Sequence, residues 1–301
     1  MVINYTIIIP HHNIPILLQR CLKSISRRDD VQIIVVDDCS DGCYDNELNK
    51  VKEEYPQVTF IMNAKCGGGG VARNIGLEQA KGKYVIFADA DDFFNECFEE
   101  VLNDYCNTDY DLIFFKGNSV DTDTFEPAKR ADHLNSFVDQ YLSGKDQEGL
   151  LLRYKFGEPW ARFVKASIIK DHAIRFDETL IHNDTTFSYL VGFYGKSIHV
   201  DSRELYCVTV RKGSVSRLIS EDRILTRIDV YGRAFLFFEK NNIRIEQIRH
   251  FEELLILLFH IRISLFKKGI KVLRKQGYSH IKIMKGMGQS LNDILGKYVI
   301  K

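Results

Sequence analysis

The chain has 301 residues, 45% apolar and 27% charged, enough apolar content for a sizeable core and too much for a disordered chain. Its formal net charge is zero, which excludes a chain that binds polyanions along its whole length. The balance hides an asymmetry: Lys240 to Lys301 carries thirteen Lys/Arg against four Asp/Glu, so an acidic front precedes a basic tail.

Five short β-branched or aromatic runs read as strands: Tyr5–Ile9, Gln32–Val36, Thr59–Met62, Tyr84–Ala88 and Leu112–Phe115. Amphipathic stretches at Ile14–Ile25, Glu47–Glu54, Gly70–Lys81 and Cys97–Cys106 alternate with them. This alternation predicts an α/β fold, a mostly parallel twisted sheet with helices on both faces. Residues 117–220 mix helix-like and strand-like pieces, and 221–301 reads as a C-terminal helical extension broken at Gly269, Gly277, Gly286 and Gly288. The seven cysteines, scattered and without a CxxC pair, are expected to be reduced thiols in a cytoplasmic chain. MVINYTIIIP lacks the basic start of a signal peptide, and the apolar run Leu254 to Phe259 falls far short of the roughly 20 residues a membrane span needs.

Ligands of open α/β sheets bind beyond the carboxyl ends of the strands, where the unusual residues of this chain fall. "YVIFADADDFF" puts Asp89, Asp91 and Asp92 just after a core strand. Close carboxylates raise one another's pKa unless a cation sits among them, and oxygen ligands with open positions suit Mg²⁺ or Mn²⁺ shared with a diphosphate. The alternative is a solvated acidic turn capping the next helix. Asp37 and Asp38 close "VQIIVVDDCSDG", where carboxylates can accept from a base or a ribose, or simply make a turn. In "KCGGGGVARNIGLEQAKG", Gly67 to Gly70 let backbone approach a ligand, and Arg73 faces either a phosphate or a structural carboxylate.

The ordered series IIPxxN, VDDxSxD, GxARNxGxxxAxG and DxDD over roughly residues 3 to 217 resembles the family 2 inverting glycosyltransferases, which have the GT-A fold. The resemblance implies an enzyme, hexosyltransferase-type, moving a sugar from a nucleotide-sugar, expected as a UDP-sugar, to a hydroxyl of a saccharide or lipid-linked saccharide. It implies a Mn²⁺ or Mg²⁺ cofactor on Asp89 and Asp91. It places the donor against Pro10, Asn13, Asp37, Asp38, Gly69, Arg73, Asp89 and Ala90. Residues 1–116 become the nucleotide-sugar half and 117–220 the acceptor half of one catalytic domain. His11-His12 replace a more usual Thr/Val-Tyr pair and receive no ligand role.

In the acceptor half, "FGEPWARFVKASIIKDHAIRFDETLIHNDTTFSYLVG" is similar to the family's acceptor segment, with Asn183-Asp184 where a Glu-Asp pair is usual. Asp184 matches the general base; its other reading is an N-cap of the helix Thr185–Tyr194. Trp160 and Asn183 match acceptor contacts, although a single tryptophan also suits a core. "TVRKGSVSR" resembles a mobile loop that brings Arg211 and Ser214 over the diphosphate; an ordinary basic loop is the alternative. The tail "RIEQIRHFEELLILLFHIRISLFKKGIKVLRKQ" spaces apolar residues helically opposite Lys/Arg. It fits either a packed helix with a solvated basic face or peripheral contact with anionic lipid at the inner face of the cell membrane, and it carries no recognised nucleic-acid motif. Two rival functions are a nucleotidyltransferase, whose Gly-rich loop belongs after the first strand, and a non-catalytic binding subunit of the same fold.

Overall fold

The computed structural model describes residues 2–211, 220–243, 255–256, 258–259 and 262–288. The chain forms two compact units, Met1–Ser214 and Val215–Lys301. In the first, β1 (Tyr5–His11), β2 (Val31–Asp37), β3 (Thr59–Met62) and β4 (Tyr84–Phe87) alternate with α1 (Pro15–Lys23), α2 (Asp45–Glu54) and α3 (Gly68–Gln79). Strands β1 and β4 are continuous apolar runs because both of their faces are covered: Ile7, Ile8 and Ile9 are fully buried, as is Phe87. Helix α1 starts with Pro15 in its first turn, where a missing N–H costs nothing, and buries Leu18, Cys21 and Leu22 at helical spacing.

After the two-residue strand β5 (Phe93–Phe94), helix α4 (Phe98–Tyr105) buries Phe98, Val101, Leu102 and Tyr105 on one stripe. Strand β6 (Leu112–Asp121) leads through α5 (Asp132–Leu142) and α6 (Leu150–Tyr154) to β7 (Arg162–Lys165). Helices α7 (Ala166–Asp171) and α8 (Thr185–Tyr194) precede the last strand, β8 (Ile198–Val210). The sheet order is β3-β2-β1-β4-β7-β6-β8-β5. It is mixed, with four parallel pairings and three antiparallel ones. Two of the antiparallel pairings arise where β7 returns between β4 and β6 and runs against both, and the third joins β5 to β8 at the sheet edge. In register, His11 of β1 lies opposite Asp37 of β2, which lies opposite Met62 of β3, so these carboxyl ends form one edge.

The second unit contains α9 (Glu221–Lys240), α10 (Ile263–Lys275) and a helical segment at 280–288. Ile228, Leu255, Leu258, Leu265, Leu273, Tyr278 and Ile283 make its core. Gly269 does not break α10 as expected; it lies buried inside the helix, where a Cβ would meet Ile228 at 2.9 Å. Gly286 and Gly288 likewise lie within helical residues. Among the described residues no helix is long and apolar enough to cross a membrane.

The expectation that every cysteine is a free thiol is overturned: Cys39 and Cys66 form a disulfide. Their positions explain the pairing. Cys39 follows β2 with a left-handed φ of 53°, and Cys66 immediately precedes the glycines that open α3, which brings the two Cα atoms to 5.4 Å. Cys21, Cys43, Cys97, Cys106 and Cys207 are free. Closing a 27-residue separation restricts the unfolded chain, so Cys66→Ser is expected to cost about 2–4 kcal/mol of stability. Thermal melts would read this, with dithiothreitol lowering the wild-type midpoint and leaving that of the variant unmoved. An unchanged wild-type midpoint would mean that the two loops hold without the bond.

Candidate active site

Two buried acids organise the carboxyl end of β2, Asp37 tying it to β1 and Asp38 to the Gly-rich loop. Asp37 is fully buried; His11 Nδ1 lies 2.6 Å from its Oδ1, and Ser40 donates from its backbone N–H to Oδ2 at 3.0 Å. The Ile14 N–H donates to His11 Nε2 at 3.2 Å, which leaves Nδ1 as the proton-bearing nitrogen facing Asp37. Against the burial that would raise it, bonds from His11 and Ser40 hold the Asp37 carboxyl below its ordinary value. Asp38 accepts from the backbone N–H groups of Gly67 and Gly68, at 3.0 and 2.6 Å, and from Asn63 Nδ2 at 2.7 Å. Asn13, also at a left-handed φ, exchanges two 2.7 Å bonds with Asp41 and donates its N–H to Ser40 Oγ. Pro10 lies opposite Val36 at the same edge. Asp37 and Asp38 therefore shape the two loops, and neither carboxylate stands open in solvent.

Past β4 the three acids separate. Asp92 is 3% exposed and accepts from the Thr209 N–H at 2.7 Å, which fastens the turn to β8. Burial, then Asp91 and Asp89, raise its carboxyl well above the ordinary value. Asp89 and Asp91 are only partly buried and carry cations: Arg73 Nη2 is 2.6 Å from Asp89 Oδ1, and Arg211 Nε is 3.3 Å from Asp91 Oδ2. Burial and then Asp89 still raise the Asp91 carboxyl, with Arg211 opposing. A hard divalent cation would offset both the burial and the Asp89 repulsion that raise Asp91, so the pair fits one. Among the described residues no three His, Cys, Asp or Glu side chains converge as an all-protein cage. Two carboxylates that would fill only part of a coordination sphere are the hard oxygen donors that suit Mg²⁺ or Mn²⁺.

Arg73 joins this acid pair to a remote segment. Its Nη1 donates to Asn183 Oδ1 at 3.0 Å while Nη2 holds Asp89, and its guanidinium lies 5.4 Å over the Phe176 ring. The next residue, Asn74, grips the same segment by donating to the Phe176 carbonyl at 3.0 Å and accepting its N–H at 2.9 Å. Gly70 makes the approach possible, since a Cβ there would sit 2.1 Å from the Asp177 carbonyl oxygen. Gly69 lies against the Arg73 guanidinium, so its Cβ would stand 3.1 Å from Nη1.

Asp184 occupies the N-cap position of α8, yet its side chain makes no capping bond. Burial raises its carboxyl to about 6, with Arg73 opposing and Glu158 and Asp89 adding to the rise. Fully buried Arg162 lies in the same region, with Nη2 donating to Ser188 Oγ at 2.8 Å and the group 5.8 Å over the Phe187 ring. Burial lowers Arg162 to about 10, and Asp184 and Glu158 work against that fall.

Other expected site residues lie elsewhere in the packing. Trp160 is 3% exposed and stacks on Tyr206 with centroids 5.4 Å apart, so its ring belongs to the core and offers a sugar no open face. Ala90 is buried as well. Ser214 lies outside the described residues. Sequence reasoning missed four participants. Tyr206 accepts the Asp89 N–H at 2.8 Å, Arg20 reaches the Asp91 carbonyl, and Arg162 and Glu158 surround Asp184 electrostatically. Only Arg162 left a trace, as a charge next to the apolar pair Phe163-Val164 in the strand "RFVK".

The chain is similar to known proteins in sequence and in fold. The sequence profile described as glycosyl transferase family 2 matches residues 6–168. The chain is 25% identical over 238 residues to glycosyltransferase GlyA of Streptococcus pneumoniae, covering 74% of this chain and 33% of that protein. It is 27% identical over 225 residues to the poly(ribitol-phosphate) beta-N-acetylglucosaminyltransferase TarS of Staphylococcus aureus, covering 69% and 36%. It thus spans about a third of the length of these two relatives. In three dimensions it resembles TarS 1–349 in complex with UDP-GlcNAc, with a TM-score of 0.59, 19% identity, and 87% and 74% of the two chains covered. It also resembles the mannosyltransferase PcManGT of Pyrobaculum calidifontis in complex with GDP-Man and Mn²⁺, at 0.52, 15%, and 97% and 81%. With more than half of its length under the family profile, the chain belongs to glycosyl transferase family 2.

Proposed function

We propose that this chain is an inverting glycosyltransferase that moves a sugar from a nucleotide-sugar to an acceptor hydroxyl, with Asp184 as general base. The observation that carries the reading is Asp184 itself, a carboxylate at a helix start that makes no capping bond and is poised near pH 6. A base of that strength is ionised at neutral pH and still takes a proton from a hydroxyl as the hydroxyl attacks the anomeric carbon. Direct attack needs no covalent nucleophile. The Asp89–Arg73–Asn183 contacts link the acids after β4 to the segment bearing Asp184.

Asp89 and Asp91 would hold a divalent cation, which when bound supplies positive charge to a leaving diphosphate. Arg211, beside Asp91, adds a fixed positive charge to the same region. Asp38, through its bonds to Gly67 and Gly68, keeps the Gly-rich loop against the end of β2, where backbone can border the nucleotide. The donor to test first is a UDP-sugar, because the TarS complex contains UDP-GlcNAc. The acceptor class is a saccharide or a polyol phosphate, in keeping with the poly(ribitol-phosphate) in the TarS name. A nucleotidyltransferase is disfavoured because His12 and Asn13 follow β1 where its Gly-rich loop would lie.

The pH dependence follows from Asp184. Its folded pKa is raised above the ordinary 3.8, so its contribution to stability is complete below about 3.8 and is lost as pH rises through about 6. Turnover runs the other way, because only the ionised form is a base. With UDP-sugar and acceptor, kcat/KM is expected to climb through pH 6 and level above it. Asp184→Asn should lose about 10²- to 10⁴-fold in turnover. The same variant should keep nucleotide-sugar affinity and gain melting temperature relative to wild type at pH 8. Full turnover by Asp184→Asn would remove the base assignment.

Arg73→Lys keeps the charge and loses the fork that reaches Asp89 and Asn183 together. It is expected to lower kcat by about tenfold or more, the effect of a misplaced reacting group. A purely structural Arg73 would show instead as a lower melting temperature with kcat unchanged.

A further inference from the structure

We infer that the second unit binds the surface of an anionic lipid bilayer, through the outer face of α10 and the apolar tip of the helical segment that follows it. The reading uses no property of the transfer reaction. From Arg262 to Gly288 the sequence holds eight Lys/Arg and no Asp or Glu. Soluble helices ordinarily interleave opposite charges three or four residues apart, which stabilises the exposed face.

Helix α10 does the reverse. Leu265, Gly269 and Leu273 face the core of the unit, and the exposed positions are Ile263, Ser264, Lys267, Lys268, Lys271, Arg274 and Lys275. Beyond the first turn, every exposed position of the helix is cationic. Lys268 is ion-paired to Glu221, and Arg274 contacts His280 Nδ1 at 2.7 Å. Lys267, Lys271 and Lys275 follow one another at four-residue intervals and have no carboxylate partner among the described residues. Like charges at that spacing repel one another, and a negatively charged surface relieves the repulsion.

Cations alone would suit any polyanion; the apolar residues select the bilayer. In the segment 280–288, Ile283 is buried in the core while Ile281 and Met284 are 81% and 61% exposed. With exposed Lys285 they occupy positions i, i+3 and i+4, hence one face of the helix. Exposed Ile263 opens the cationic helix as well. A soluble polyphosphate gives Ile281 and Met284 nothing, whereas the boundary between headgroups and acyl chains accepts apolar side chains beside lysines. An interfacial contact needs no membrane-crossing helix, and none occurs among the described residues.

The test is co-sedimentation of the full chain with phosphatidylcholine vesicles, with and without phosphatidylglycerol. Binding is expected only where phosphatidylglycerol is present, and it should weaken as salt rises from about 0.05 to about 0.5 M. Replacing Lys267, Lys271 and Lys275 together by Gln should reduce affinity roughly hundredfold. The double substitution Ile281→Ser, Met284→Ser should reduce it about tenfold and leave a residue of binding that salt removes fully. Neither variant removes a core side chain, and matched melting curves confirm folding. If one unfolds, the salt and lipid dependence of the wild type still decides. Equal binding to neutral vesicles overturns the proposal. So does retained binding by the Lys variant, or a polyphosphate that binds the wild type and the Ile281/Met284 variant alike while vesicles bind neither. Since none of these measurements uses turnover, failure here leaves the catalytic reading standing, and a failed Asp184 assignment leaves this one.

Discussion

A nearly buried guanidinium, Arg73, holds Asp89 with one nitrogen and Asn183 with the other. The two partners come from opposite parts of the first unit, one just past β4 and the other just before α8. A planar fork with fixed donors can fasten both at once, which a flexible ammonium would do poorly. The arrangement is demanding because a buried charge needs its partners in place. The surrounding sequence supplies them: Gly70 admits the Asp177 carbonyl, Phe176 lies under the guanidinium, and Asn74 ties the Phe176 backbone. The run Gly69 to Asn74 is therefore one device that fixes where the acids after β4 and the segment before α8 meet.

The acids after β4 divide their work by burial. Asp92 faces inward and fastens β8, and Tyr206 on β8 binds the Asp89 backbone and stacks on Trp160. The Asp89 main chain is consequently anchored to the core while its carboxylate faces Arg73. Burial, with Asp89 beside it, keeps the Asp91 carboxyl raised although Arg211 opposes the rise. A turn with three carboxylates is tolerable here because Asp92 is bonded into the core and Asp89 and Asp91 each face an arginine.

The strands were legible because nothing competes with their pattern. Both faces of β1 and β4 are covered, so continuous Ile, Val and Phe runs admit little else. The antiparallel return of β7 was not legible, since the sequence from Gly117 onward carries no sign of which neighbours a short strand will take. In the site, the motifs located the right loops but not the division of roles within them. Asp37 and Asp38 read as ligand contacts and are largely consumed by His11, Ser40, Gly67 and Gly68. Trp160 read equally as platform or core, and its stack on Tyr206 decided for the core. The Cys39–Cys66 bond was hidden for a similar reason: no short spacing marks cysteines that only the fold brings together.

The same geometry gives a physical account of Asn183, where the family pattern has an acid. A carboxylate at 183 would bring a second negative charge to Arg73, which already holds Asp89 at 2.6 Å. It would also stand next to Asp184, whose carboxyl is raised by burial and by Glu158 and Asp89 and restrained chiefly by Arg73. Sharing Arg73 among three acids would weaken that restraint and move the Asp184 carboxyl further upward, against the ionised form that the proposed base role requires. An amide avoids this. Through Oδ1 it gives Arg73 the acceptor its second nitrogen requires, and it adds no charge to compete for the guanidinium. In this chain the amide at 183 and the limit on the rise of the Asp184 carboxyl are thus two sides of one electrostatic balance, with Arg73 at its centre.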